Sequence, residues 1–359
     1  MFKALHTADF HLGSNFSGAK CGSEKLKNCQ KTAFFDMVNY AKNHEIEFFI
    51  ISGDLFDNKH SILQNCNFIF QIMQNCPEIK FMICAGNHDP LSYDLFYEKA
   101  RSLKNVFIFE KELTVFEFEN VLFCGVSQLF PGDNSSAFKD IKIKDCNKPV
   151  IAVLHGDIDK NGNYLNFSTD DLQNSNIDYA AFGHIHKKSE IKSAGKCYYA
   201  YCGCPYSRGF DEVYDTGFYV IDNINSTLKI DFVKTDFIKF NEMEIDISNC
   251  LENAEVLNLI NEKISFIPEN EILRIVLCGE VSIQSDISAE AIFEYLNNDS
   301  IAMIKDKTKI KMDFEKYKDE ASLKGEFIRN MLLKLDSVND EKEKELILLS
   351  LKYGLKSFN

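Results

Sequence analysis

The chain of 359 residues has no apolar run long enough to cross a bilayer, no regular cysteine framework, no excess of basic charge, no internal repeat and no low-complexity segment. The first absence excludes a helical membrane span. The N-terminus also lacks the layout of a signal peptide, because Phe2–Thr7 reads as a short strand that leads directly to Asp9 and His11. Twelve cysteines without an export signal are expected as reduced thiols, which points to the cytoplasm. Their one close pair, Cys202 and Cys204, is weak ground for a metal site and reads as small side chains filling space. A net charge of -14 argues against a simple basic nucleic-acid binder. Residues 241–359 hold about -9 of that total, however. Two bound divalent cations would also bring four positive charges to a site. Acidity therefore does not exclude phosphate chemistry.

With 45% hydrophobic and 26% charged residues the balance is that of a soluble globular protein. The length asks for two domains, or one large domain with an appendage. Short apolar runs predict buried strands at Phe2–Thr7, Phe48–Ser52, Lys80–Ala85, Val121–Val126, Val150–Leu154 and Tyr179–Phe182. Helical spacing lies between them at Glu24–Asn43 and Ser61–Gln74, with Ser61 as the expected N-cap. Strand followed by helix, repeated, predicts an α/β sandwich. The strands expected at Lys196–Tyr201, Gly217–Ile221 and Leu228–Val233 fit a second sheet closing it. Past residue 240 strands and helices alternate over Phe237–Ile304, and two amphipathic helices follow at Ala321–Leu335 and Glu341–Leu355.

Polar motifs follow strand after strand: Asp9-Phe10-His11, Gly53-Asp54, Gly86-Asn87-His88-Asp89, His155-Gly156 and Gly183-His184-Ile185-His186. Loops leaving the carboxyl ends of strands converge at one edge of an α/β sheet. Hydrolysis of a phosphate ester needs a deprotonated water, neutralised phosphoryl oxygens and a stabilised leaving oxygen, and a pair of divalent ions supplies all three. Asp, His and Asn donors suit Mn²⁺, Fe²⁺ or Zn²⁺. Any one of these motifs alone could be a turn or a solvated histidine; five in order, spread over almost 180 positions, are not one local accident. His6, His44 and His60 lack this setting and are expected to be structural or solvent-facing.

Asp-x-His, Gly-Asp-x-x-Asp, Gly-Asn-His-Asp, His-Gly and Gly-His-x-His, in that order, resemble the calcineurin-like metallophosphoesterase superfamily. Thr7-Ala8-Asp9-Phe10-His11-Leu12-Gly13 and Ser52-Gly53-Asp54-Leu55-Phe56-Asp57 are similar to its SbcD-type DNA repair exonucleases, as are Tyr201–Pro205 and Ser207-Arg208-Gly209-Phe210-Asp211-Glu212. The motif resemblance covers about residues 1–222. It implies a two-sheet α/β/β/α sandwich over 1–238, a small α/β capping domain over 239–318 and C-terminal helices over 319–359 suited to docking a partner. It further implies two divalent ions, foremost Mn²⁺. Asp9, His11, Asp54 and His186 would bind one and Asp54, Asn87, His155 and His184 the other, with Asp54 bridging. His88 would protonate the leaving oxygen or stabilise the transition state, and Asp89 would orient it. The implied partners are DNA, an SbcC-type SMC-like coiled-coil ATPase, and a second copy of the chain within a heterotetramer.

Some members carry histidine where this chain has Asp57, which raises a substrate-binding role for that position. Arg208 is a substrate-contact candidate in the turn beside the site, and Lys187-Lys188 reads either as a phosphate contact or as a solvated pair. Three functions follow: a Mn²⁺-dependent exo- or endonuclease of DNA repair, a phosphatase or nucleotide phosphodiesterase, or a catalytically silent DNA-end scaffold. Asn58 stands where protein phosphatases of the superfamily typically have arginine, which counts against a phosphoprotein substrate.

Overall fold

The computed structural model describes residues 1–14, 23–133, 143, 147–159, 164–212, 214–224, 227–264, 267–282, 285–296, 298–311 and 320–358. They form two compact units, Met1–Phe240 and Asn241–Asn359. The first unit runs β1 (Lys3–Thr7), α1 (Ser23–Asn43), β2 (Phe48–Ser52), α2 (Lys59–Gln74), β3 (Lys80–Cys84), α3 (Leu95–Ala100), β4 (Val106–Ile108), β5 (Thr114–Glu117), β6 (Leu122–Gly125), β7 (Val150–His155), β8 (Asp157–Ile158), β9 (Asn166–Phe167), α4 (Thr169–Asn174), β10 (Tyr179–Gly183), β11 (Lys192–Ala194), β12 (Cys197–Tyr201), β13 (Gly217–Ile224) and β14 (Thr227–Lys234).

Two six-stranded sheets result, ordered β14-β13-β1-β2-β3-β4 and β11-β12-β10-β7-β6-β5. Strands β1 to β4 pair in parallel, as do β6, β7, β10 and β12. Parallel strands covered on both faces read as continuous apolar runs, and β2, Phe-Phe-Ile-Ile-Ser, is buried at every position. Between the sheets lie Ala4, Phe48, Ile50, Met82, Phe123, Ile151, Val153, Tyr179 and Ala181. Helix α1 covers the outer face of the first sheet, with Phe34 packed on Phe49 at 6.0 Å between ring centroids. Leu172 of α4 joins Leu154 and Phe182 on the outer face of the second. Helix, sheet, sheet and helix thus stack in the α/β/β/α order.

Two local expectations are corrected. Helix α2 is capped by Asn58, not Ser61: the Asn58 side chain accepts from the Ser61 amide, and the chain at Asn58 is extended. The β13–β14 hairpin does not join the second sheet. It pairs antiparallel with β1, Leu5 opposite Val220 and His6 opposite Tyr219, and so satisfies the edge that β1 would otherwise leave open. Only β12 of that region enters the second sheet.

The second unit contains a three-stranded sheet with β15 (Lys239–Asp246) and β18 (Ile301–Asp306) on either side of β16 (Glu271–Cys278). Its core brings Val256 and Ile260 of α5 (Asn253–Lys263) and Ile292 of α6 (Ala289–Tyr295) against Ile245, Ile275 and Ile301. At the C-terminus α7 (Leu323–Ser337) and α8 (Glu341–Lys356) form a helical pair around Ile328, Leu351 and Leu355. No helix among the described residues is long and apolar enough to cross a membrane.

One buried polar residue crosslinks the two sheets of the first unit. Nε2–H of His6 on β1 donates to the Phe182 carbonyl (3.2 Å), while Nδ1 accepts from the Tyr179 hydroxyl (2.8 Å), both on β10. Burial drives the His6 pKa from 6.5 down to about 3, against the pull of the Phe182 carbonyl. The unfolded chain takes up a proton below about pH 6.5 that folded His6 refuses, so this contribution is complete above that pH and is lost as pH falls toward 3. At pH 5 the loss is on the order of 2 kcal/mol. His6→Asn is therefore expected to be less stable than the wild type at pH 7 but to lose less further stability down to pH 5. Parallel melting-temperature profiles across that range would show that His6 does not titrate as described.

Candidate metal centre

The loops that leave β1, β2, β3, β7 and β10 meet at the carboxyl edge of the sandwich. Each is short, and the backbone has to turn at once. Asp9, His11, Asp54 and His184 all adopt positive φ (52°, 46°, 50° and 103°), a region that costs a side-chain-bearing residue and tends to be held only where surrounding bonds enforce it. Here those bonds are visible. Asp9 and His11 donate their amides to the Gly53 and Asp54 carbonyls at 3.1 and 2.9 Å, and the buried Tyr206 hydroxyl donates to the Phe10 carbonyl between them. Gly86 allows a close approach: a Cβ there would collide with the Asp54 carboxylate.

Asp54 lies at the middle. Its Oδ1 accepts the His88 amide at 2.9 Å, and its Oδ2 lies 3.3 Å from His155 Nε2 and 3.6 Å from His11 Nε2. On one side Asn87 Oδ1 lies 3.0 Å from His155 Nε2 and 3.1 Å from His184 Nδ1. On the other, donor atoms of Asp9, His11 and His186 fall within 4.8 Å of one another, and a set of Asp9, Asp54 and His155 at the same spacing links the two sides. Asp9 accepts the His184 amide on both oxygens, 3.0 and 3.1 Å. All seven residues expected as metal ligands thus converge, with Asp54 between the two groups.

The electrostatics of this cluster are those of a cation site. Asp9, Asp54 and Asp89 are buried together. Burial and the Asp54 charge push Asp9 up to about 6 against the histidines, and raise Asp89 to about 7. Burial also opposes the Asp54 carboxylate, yet His155, His11 and His88 outweigh it and hold the group below the usual range. Burial pulls His11 and His184 down to about 4, whereas for His155 the charges of Asp54 and Asp9 overcome burial and raise it to about 9. Nδ1 of the fully buried His11 faces Asp57 Oδ1 at 3.3 Å, whereas its Nε2 has no hydrogen bond, a costly arrangement that a metal on Nε2 would relieve. Oxygen and imidazole donors without thiolate fit Mn²⁺, Fe²⁺ or Zn²⁺. Cys202 and Cys204 are buried nearby, and burial together with Asp9 raises both thiols, which keeps them protonated and confines them to packing.

The remaining expected residues separate. His88 is exposed at the rim, and its Nδ1–H donates to the Asp57 carbonyl at 2.8 Å. Asp89, expected to orient His88, instead accepts the amides of Gly86 (2.9 Å), Phe56 (3.0 Å) and Asp54 (3.2 Å), bracing two loops against each other. Asp57 and Arg208 lie beside His11 and His186, with 3.6 Å between Asp57 Oδ1 and Arg208 Nη2. Lys187 is exposed and lines a neighbouring cavity of about 470 Å³ with Ile185, Lys188, Lys192, Tyr199 and Tyr201. Glu212 was not assigned a role from sequence, yet its Oε1 lies 3.4 Å from His186 Nδ1. Its presence in the Ser207–Glu212 run was the available signal.

The calcineurin-like phosphoesterase family model matches residues 2–188. An uncharacterised metallophosphoesterase of Bacillus subtilis, YhaO, is 24% identical over 281 residues, 73% of this chain and 67% of that protein. The SbcD component of the nuclease SbcCD of Escherichia coli K12 is 28% identical over 95 residues, 25% of this chain and 22% of that protein. Among solved structures, a dimetal phosphatase from Danio rerio aligns with a TM-score of 0.44 at 9% identity, covering 64% of this chain and 95% of that one.

Gly86→Ala is expected to displace the Asp54 carboxylate and weaken divalent-metal binding by on the order of tenfold or more in a calorimetric titration. Unchanged affinity would mean that the Asp54 carboxylate does not contribute to the bound metal.

Proposed function

The chain belongs to the calcineurin-like phosphoesterase family, a metal-dependent hydrolase of phosphate esters, and from that premise we propose that its substrate is DNA and that it acts as an SbcD-type nuclease. The observation that carries this reading is the basic cavity at the edge of the metal centre. Ile185 and Lys187, on either side of His186, belong to its lining, so the cavity is continuous with the loop that holds two of the centre's histidines. Lys187, Lys188 and Lys192 face Asp159 alone among acidic lining residues, and Lys187 and Lys192 have no ion-pair partner among the described residues. Unpaired lysines side by side suit an extended polyanion more than a lone phosphate group. The partial likeness to the Escherichia coli nuclease component supports the same choice.

In this reading Asp9, His11, Asp54 and His186 hold one divalent ion, foremost Mn²⁺, and Asp54, Asn87, His155 and His184 hold the other. When bound, the ions supply activation of water at neutral pH and charge neutralisation at the phosphoryl group. The chain's own residues do the rest. His155 gives its Nδ1–H to the Ser52 carbonyl at 2.8 Å, which leaves Nε2 free as a donor atom facing Asn87 and Asp54. Asp89 keeps the Asp54 and Asn87 loops in register through three amides. His88 is held through Nδ1 by the Asp57 carbonyl, which leaves Nε2 to donate to the leaving oxygen in the protonated form. Arg208 adds positive charge beside the phosphate. In the same reading residues 319–359 dock a coiled-coil ATPase; Leu333, Leu346, Leu349 and Tyr353 of α7 and α8 are exposed and suit such a contact.

Purified protein with Mn²⁺ is expected to cut labelled single- or double-stranded DNA, alone or with the ATPase, and His88→Ala to lower kcat by about 10² to 10⁴. Metal-loaded protein that leaves DNA intact while it hydrolyses a phosphopeptide or cyclic nucleotide contradicts the nuclease reading. Lys187→Ala/Lys192→Ala is expected to raise KM for an oligonucleotide and flatten its salt dependence by about two phosphate contacts, while hydrolysis of bis(p-nitrophenyl) phosphate is unchanged. Equal loss on both substrates would place the lysines outside substrate binding.

A further inference from the structure

The histidines of the centre differ in what stands behind them. Nδ1 of His155 is backed by a neutral group, the Ser52 carbonyl. His184 turns Nδ1 inward to Asn87, and its outward Nε2 lies 3.7 Å from Asp157 Oδ2, beyond hydrogen-bond reach. His11 and His186 are backed by closer carboxylates: Asp57 Oδ1 lies 3.3 Å from His11 Nδ1, and Glu212 Oε1 lies 3.4 Å from His186 Nδ1. In His11 the opposite nitrogen, Nε2, is the one that faces Asp54.

Arg208 joins the two carboxylates. Its backbone amide donates to Glu212 Oε2 at 3.0 Å, its Nη2 lies 3.6 Å from Asp57 Oδ1, and its Nη1 lies 3.2 Å from His186 Nδ1 and 3.1 Å from His186 Nε2, a place that a metal on Nε2 would require it to leave. All three side chains are largely shielded from water, with side-chain exposures of 21% for Asp57, 24% for Glu212 and 18% for Arg208. The guanidinium thus offsets the charge of Asp57, while the backbone amide of the same residue limits where Glu212 can swing.

We propose that Asp57 and Glu212 are positioning residues for one metal position, the one formed by Asp9, His11, Asp54 and His186, and that Arg208 holds the pair in place. The proposal rests on the two-metal reading given above. A carboxylate behind an imidazole fixes the ring and makes its inward nitrogen a better donor, and loss of such a partner typically weakens metal binding about 10- to 100-fold. Asp57 therefore acts here through His11 rather than on substrate. The two positions become unequal: one is backed by charged groups on both histidines, the other by a carbonyl and a more distant carboxylate.

The test is Mn²⁺ titration of the metal-stripped full-length chain, with free Mn²⁺ followed by electron paramagnetic resonance, and a parallel Co²⁺ absorption spectrum. The wild type is expected to bind two equivalents. Asp57→Asn and Glu212→Gln are each expected to weaken one equivalent by about 10- to 100-fold, to leave the other unchanged, and to keep the shape of the Co²⁺ bands. Asp57→Glu is expected to recover part of the loss. Arg208→Lys keeps the charge but lacks the fork, and is expected to give a smaller loss at the same equivalent. Two unaltered equivalents in both isosteric variants overturn the proposal. So does equal weakening of both equivalents, and so does a changed Co²⁺ band shape in Asp57→Asn, which would mark Asp57 as a ligand itself. A wild type that binds no metal, or that retains both equivalents in Asp54→Asn, overturns the underlying two-metal reading and is told apart by that result.

Discussion

A carboxylate buried at the meeting of two sheets is the constraint on which the rest of this molecule depends. Asp54 is 1% exposed, and Asp9 and Asp89 beside it are fully buried. Charges removed from water cost several kcal/mol each unless something replaces the solvent. The chain replaces it in two ways. Backbone amides of His88 and His184, and those of Gly86, Phe56 and Asp54, point at the three carboxylates. Imidazoles of His11 and His155 flank Asp54. The residual conflict is visible in Asp9 and Asp89, pushed up to about 6 and about 7 by burial and by the Asp54 charge. Divalent cations held by these donors would relieve that conflict.

That requirement explains features of the scaffold that would otherwise be expensive. Four centre residues sit at positive φ in the loops just past the ends of strands. The strands themselves are apolar and covered on both faces, so the strain is carried by rigid supports and not by mobile loops. His6 extends the same principle below the site. Its two hydrogen bonds cross from β1 to β10, the strands that lead into the Asp9–His11 and His184–His186 loops, and so fix the distance between them.

What could be read from sequence follows from the same physics. Asp9, His11, Asp54, Asn87, His155, His184 and His186 were legible because each follows an apolar run directly, and parallel strands bring such loops to one edge. The buried strands were legible for the same reason. The β13–β14 hairpin was not, because strand patterning reports burial and not which sheet offers an open edge. The cap of α2 was misplaced because Asn58 and Ser61 are both good caps, and only the extended backbone at Asn58 decides between them. Glu212 and the Asp89 brace were hidden for a different reason: their partners are a histidine 26 positions away and amides up to 35 positions away, pairs that no local spacing relates.

The acidity of the chain looks at first like an objection to a polyanionic substrate, but net charge is the wrong quantity for a site. Exposed charges farther apart than about 8 Å are largely screened at physiological salt. What a phosphate meets is therefore set by the groups nearest to it. At the edge of this centre those groups are Arg208, His88, Lys187, Lys188 and Lys192, against Asp159 and the paired Asp57 and Glu212. Asp57 and Glu212 are engaged with His11, His186 and Arg208, so their charge is directed inward, toward the donors, and not outward toward the substrate.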